Sequence, residues 1–249
     1  MTRTRTIALA LMAVAALAVG GYIAYDQVLR GDSVTALALP TQSSTPGAAS
    51  APAASQDAAS VTPGTDAGVA GEWQVGADSV AGYRVRERLA NLPAESDAVG
   101  RTSDVTGSIT VEAAGDGARL TAGTLNVDTT TIASDESRRD NRLRTEGLQT
   151  DQFPTATFVV TQPVDVPAAA LTGAATDMTL VGDLTLHGVT KSVEIPAQAQ
   201  LTDGKIQVAG TLAFALADFD ITAPNVGGFI ISIADEGTLE FLVNFEKAA

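Results

Sequence analysis

Apolar and polar positions alternate with period two through most of the chain beyond Glu72. In 205–216 the apolar set is Ile206, Val208, Leu212, Phe214 and Leu216, against Lys205, Gln207 and Thr211. Val193, Ile195, Ala197, Ala199 and Leu201 alternate with Ser192, Glu194, Gln198 and Gln200 in 191–201. The same pattern runs through 178–186 (Met178, Leu180, Leu184, Leu186) and 237–246 (Leu239, Phe241, Val243, Phe245). It is weaker in 79–91, around Tyr83 and Val85, and in 103–112, and two β-prone runs, 118–131 and 155–161, follow. Such alternation marks strands buried on one face, the habit of antiparallel sheets. Gly115-Asp116-Gly117, His187-Gly188 and Asp203-Gly204 supply turn chemistry between them. About eight strands joined mainly by hairpins predict an all-β antiparallel barrel, with a sandwich as the alternative. Gly107, Gly182, Ala197, Ala199 and Gly210 fall in inward registers. Small residues there leave space that a close-packed core would fill, which favours a barrel with a cavity over one plugged by loops or bent at its glycines.

One segment breaks the alternation. Ser134 to Arg144 carries acids first (Asp135, Glu136) and bases last (Arg142, Arg144), which suits a short helix capped by Ser134 and ended by Gly147. Its four arginines read most simply as a solvated face.

The first 71 residues differ in kind. Ile7 to Tyr25 holds no charged residue, and Arg3 and Arg5 precede it. Nineteen apolar residues approach the roughly 20 that a bilayer-spanning helix needs. A transmembrane signal-anchor over 1–30 is therefore expected, holding the remainder outside the cytoplasm. A cleaved signal with its site at Ala16-Leu17-Ala18, releasing a secreted domain, is the alternative. Residues 31–71 are rich in Ala, Ser, Thr, Pro and Gly without periodicity, and a disordered linker is expected. Its removal should then leave the stability of the 72–249 domain unchanged.

Composition removes whole classes of function. The chain has 249 residues, 15 Lys+Arg against 29 Asp+Glu, a formal charge of −14, no Cys and one His. The acidic balance argues against a nucleic-acid partner. Without Cys there are no thiolate metal sites, Fe–S clusters or cysteine nucleophiles, and His187 alone makes a poor metal site. No P-loop, G-x-G-x-x-G, nucleophile elbow or EF-hand occurs. Asp218 and Asp220 sit two apart like a carboxylate pair on a strand face, but such pairs are common in an acidic chain. No catalytic residue, metal or cofactor is assigned.

Several residue runs resemble the YceI-like domain family. Trp73-x-Val75 with Ser79-Val80 and Tyr83-Arg84-Val85 is similar to its opening strands, and Val105-x-Gly107 with Ile109 to the next. Arg139-Asp140-Asn141-Arg142-Leu143-Arg144, then Phe153-Pro154-x-Ala156-x-Phe158, resembles its helix and following strand. Gly182-Asp183-Leu184-Thr185-Leu186-His187-Gly188-Val189-Thr190-Lys191 resembles its most specific run. The ordered set covers about 73–246. The chain departs from the family pattern at Arg142, at Glu146–Gln152 and at Ala217, where the pocket mouth or head-group end is expected. The resemblance implies a lipocalin-like barrel that holds a long isoprenoid chain, polyprenyl or quinone-type, outside the cytoplasm and without enzymatic chemistry.

The lumen candidates are then Tyr83, Val85, Phe158, Leu180, Leu184, Val193, Ile195, Val208, Gly210, Leu212, Phe214 and Phe241. The expected partners are an isoprenoid lipid or quinone and, through the N-terminal helix, the membrane; the oligomeric state is open, a homodimer included. A ligand-free cell-surface interaction module and a hydrolase using His187 with acidic residues are the rival functions.

Overall fold

The computed structural model describes residues 34–40, 68–89, 95–223 and 230–248. Eleven strand segments form one antiparallel sheet: β1 (Gly71–Val75), β2 (Val80–Leu89), β3 (Glu95–Thr102), β4 (Val105–Ala114), β5 (Gly117–Asp128), β6 (Thr155–Val160), β7 (Val164–Val166), β8 (Thr176–Leu186), β9 (Val189–Thr202), β10 (Lys205–Ala215) and β11 (Ile230–Lys247). β1 and β2 both pair with β11, and β4 and β3 continue from them on the other side. β6 and β7 both pair with β5. Each of these couples is one broken strand, so the sheet has eight positions around its circumference. Pairing of Trp73 with Lys247 and of Ala81 with Phe241 closes it into a barrel.

All eight runs read from periodicity are strands. β1, β3 and β7 are additional. β3 escapes the pattern because Ala98, Val99 and Gly100 are buried in succession. The turns behave as their residues dictate: His187 and Gly188 have φ of 51° and 77°, Asp203 and Gly204 53° and 72°. Positive φ at both central positions is the type I′ condition that matches the twist of a two-residue hairpin.

The helix is shorter than its charge pattern suggests. α1 covers Ser137–Arg142, and a single π turn, Leu143–Gly147, follows. Glu136, not Ser134, caps it by accepting from the Arg138 amide. The Ser134 hydroxyl instead donates to the buried Asp140 carboxylate at 2.6 Å. A second short helix, α2 (Ala168–Leu171), lies between β7 and β8. No helix among the described residues is long and apolar enough to cross a membrane, and the 7–25 run lies outside them.

The inward glycines have a different purpose from the one their size suggests. Tyr83 lies opposite Gly100, Phe241 opposite Gly210 and Phe214 opposite Gly237, while Phe158 sits diagonally over Gly182. A Cβ added at Gly210 would stand 2.6 Å from Phe241 Cζ, and one at Gly182 2.6 Å from Phe158 Cζ. Each ring therefore occupies the place of a missing side chain on the next strand, the pairing by which an aromatic residue covers strand glycine. Gly210 is a seat for Phe241 rather than open lumen. Gly107, with φ 144°, has the Thr124 carbonyl where its side chain would be, and marks a close approach of β4 and β5.

Residues 34–40 lie against the outer wall, although they belong to the stretch expected to lack fixed structure. Arg84 donates to the Val34 carbonyl at 2.6 Å and Arg101 to that of Thr35 at 2.5 Å. The Leu37 amide donates to Glu240, whose carboxylate is also paired with Arg101 at 2.7 Å. Leu39 is buried and Leu37 half-buried, as two residues of one face of an extended segment are. Main-chain groups from this strap thus complete an ion-pair cluster whose carboxylate is 1% exposed. Residues 31–33 and 41–67 of the linker lie outside the described residues.

Two outcomes follow from this packing. Replacing Leu37 and Leu39 together by Asp should cost about 2–3 kcal/mol, on the scale of burying one to two leucines, read as a lower urea midpoint; an unchanged midpoint would mean the strap adds nothing. Gly210→Ala should fold with a loss of about 1–3 kcal/mol, the usual cost of overpacking, because the Phe241 ring must swing away. Phe241→Leu in the same chain should recover most of that loss in thermal unfolding, and strictly additive losses would remove the seat argument.

Candidate ligand cavity

The barrel interior is not filled. A cavity of about 240 Å³ runs along it, against the roughly 10–15 Å³ that one water needs. At one end it is bordered by Val69, Val166, Ala170, Leu171 and Leu201, at the other by Leu143, Leu148, Leu216 and Ile221. The first end is where the β4–β5 and β9–β10 turns and α2 lie; the second carries α1, the π turn and the 3₁₀ turn Leu216–Phe219. Between them the wall is aliphatic and aromatic. A polar solute gains no hydrogen bonds along such a wall, whereas a flexible hydrocarbon gains burial at every step.

Ten of the twelve lumen candidates border this cavity: Tyr83, Val85, Phe158, Leu180, Leu184, Ile195, Val208, Leu212, Phe214 and Phe241. Two do not. Gly210 is covered by Phe241, and Val193 packs half-buried against the Leu184 cluster. Ile109, Val111, Leu120, Leu125, Val127, Ile206, Leu239, Val243 and Phe245 are further parts of the wall. Ile109, Val111, Ile206, Leu239, Val243 and Phe245 were legible, since each continues an alternating register already read as a strand.

Formal charge meets the cavity at the α1 end. Glu87 continues the inward register of Tyr83 and Val85, and its side chain is 2% exposed. Arg139 reaches it from α1 with Nη2 2.6 Å from Oε1. The Nη1 of Arg139 donates to Asp135 at 2.6 Å and to Ser134 at 3.3 Å. Only Nε of this guanidinium, buried, has no acceptor. Arg142, also bordering the cavity, is paired with Glu146. The helix therefore does not present a uniformly solvated row of arginines: Arg138 is exposed, whereas Arg139 is turned inward. Glu240 borders the cavity as well, but its carboxylate serves the cluster on the outer wall. Burial pushes the Tyr83 phenol up to about 12, so this side chain is neutral throughout the physiological range.

The residues weighed for catalysis lie elsewhere. His187 is buried at the β8–β9 turn, with Nδ1 donating to the Phe219 carbonyl at 3.0 Å and the ring edge-on to Phe153 at 4.5 Å between centroids. It does not border the cavity. Asp218 belongs to the 3₁₀ turn and Asp220 follows it in a left-handed conformation, so they do not share a strand face. Asp218 is paired with Lys191 at 2.9 Å, and that hydrogen bond lowers its carboxyl below the usual range. No cluster of three or more His, Asp or Glu with metal-binding geometry occurs among the described residues.

Comparison with known proteins accords with this architecture. A UPF0312 protein of Shewanella sp. strain W3-18-1 is 35% identical over 133 residues, 49% of this chain and 63% of the relative. One from Vibrio parahaemolyticus is 33% identical over 111 residues, 42% of this chain and 55% of the relative. The chain thus matches less than two thirds of the length of these curated relatives. Among solved structures, a polyisoprenoid binding domain from Saccharophagus degradans, implicated in plant cell wall breakdown, superposes with a TM-score of 0.54 at 19% identity, covering 71% of this chain and 98% of that one. BcnA of Burkholderia cenocepacia gives 0.52 at 16% identity, covering 68% and 98%. At such identities the likeness is one of fold. The YceI-like domain matches residues 75–245, from the last residue of β1 into β11, and the chain belongs to that family.

Proposed function

We propose that the protein binds an isoprenoid lipid, with a polyprenyl or quinone-type chain, inside the barrel, and stores or carries it outside the cytoplasm. The observation that carries this reading is the continuous apolar cavity of about 240 Å³ within a closed barrel. Each methylene moved from water into such a wall contributes about 0.8 kcal/mol, so a long chain gains affinity in proportion to its length. Family membership supports the same reading, as does the polyisoprenoid-binding description of the Saccharophagus protein of similar fold. In this account the charge-free run 7–25 holds the protein at the membrane, close to a source of hydrophobic ligand.

Organic-solvent extraction of the purified full chain, followed by mass spectrometry, tests the proposal. A prenyl lipid should be recovered at close to one mole per mole of protein. Its absence, together with no uptake of added prenyl quinone, would contradict it.

A further inference from the structure

The single charged end of the cavity bears on which lipid enters. Two cations border the cavity there, and both are already committed to carboxylates. The fork of Arg139 is shared between Glu87 and Asp135, each at 2.6 Å, so both of its terminal nitrogens already hold a carboxylate. Glu87 places a carboxylate, 2% exposed, at the same end. A phosphate head would bring about −1.5 to −2 charges against that carboxylate, and like charges in a poorly solvated site repel strongly. One donor at this end is both buried and without an acceptor: Nε–H of Arg139. A buried donor left unpaired is costly, and one neutral oxygen is sufficient to satisfy it.

We infer that the Glu87–Arg139 pair is a specificity element that admits an uncharged, oxygen-bearing head group, such as a ketone or quinone carbonyl, and rejects phosphorylated prenyl lipids. This rests on the proposed lipid-binding function. The tail lies toward Leu171 and Leu201, where the lining offers no charge, and the head lies beside Arg139. Glu87 acts through charge rather than by contact with the ligand chain. It holds Arg139 in place and at the same time makes the site repellent to anions.

The test is a binding competition on the full-length protein, stripped of lipid in detergent, between a prenyl benzoquinone and the prenyl monophosphate of equal chain length. The quinone should bind at least about tenfold more tightly, a difference of about 1.4 kcal/mol. Glu87→Gln keeps an oxygen acceptor for Arg139 and removes the negative charge, so it should raise phosphate binding and shrink that ratio severalfold. Equal affinities, or a preference for the phosphate, would overturn this proposal alone. A ratio indifferent to Glu87→Gln would overturn the assignment to this pair, and should that variant not fold, the wild-type ratio decides. Binding of neither probe would overturn the lipid-binding function and this proposal with it.

Discussion

Hydrogen bonds between β11 and the β1–β2 strand close the sheet, and the interior depends on that closure. A sheet of eight strands bent into a ring has its width set by strand number and tilt, not by the side chains inside. The chain puts mainly Val, Leu, Ile and Ala into this fixed space, and aromatics make up only 4% of the sequence. Four of its rings lie back over glycines on neighbouring strands instead of reaching across. The wall is thus well packed side to side while the middle stays open. Ordinary globular cores cannot persist in that state, because layers collapse until they touch; a hydrogen-bonded ring resists collapse.

The outer wall has its own devices. The break between β1 and β2 is held by Asn244, whose side-chain amide donates to the carbonyls of Ala77 and Asp78 and accepts from Gln207, which itself accepts from Gln200. The strap at 34–40 covers Glu240 with Arg84 and Arg101 beside it. Carboxylates this deeply buried are stable only when their lone pairs are met by cations or N–H groups. The strap supplies part of that requirement, which ties a stretch of low-complexity linker to the state of the barrel.

Most of the barrel was legible because half-buried strands write their burial into the sequence with period two. The failures have physical causes. β1 and β7 have five and three residues, too few to show a period, and β3 buries three residues in a row. The strap is announced only by Leu37-Ala38-Leu39 within a compositionally bland stretch. At the site, the aliphatic wall followed from register, and Glu87 did too, two residues beyond Val85, although a carboxylate at an inward position runs against the expectation for a core. Arg139 could not be distinguished from Arg138 or Arg142 by sequence, since its inward turn depends on where α1 meets the barrel. The glycines were read correctly as inward and incorrectly as empty, because their occupants come from other strands, far away in sequence.

The central claim is that the open interior, rather than the outer wall, is where the hydrocarbon chain resides. Nuclear Overhauser contacts between a deuterium-edited, methyl-labelled protein and a bound prenyl quinone address this directly. Contacts are expected from prenyl protons to the methyls of Leu171 and Leu201 at one end, Leu180 and Val243 between, and Leu148 at the other. Contacts confined to exterior side chains such as Val159, or none to Leu180 and Val243, would contradict it.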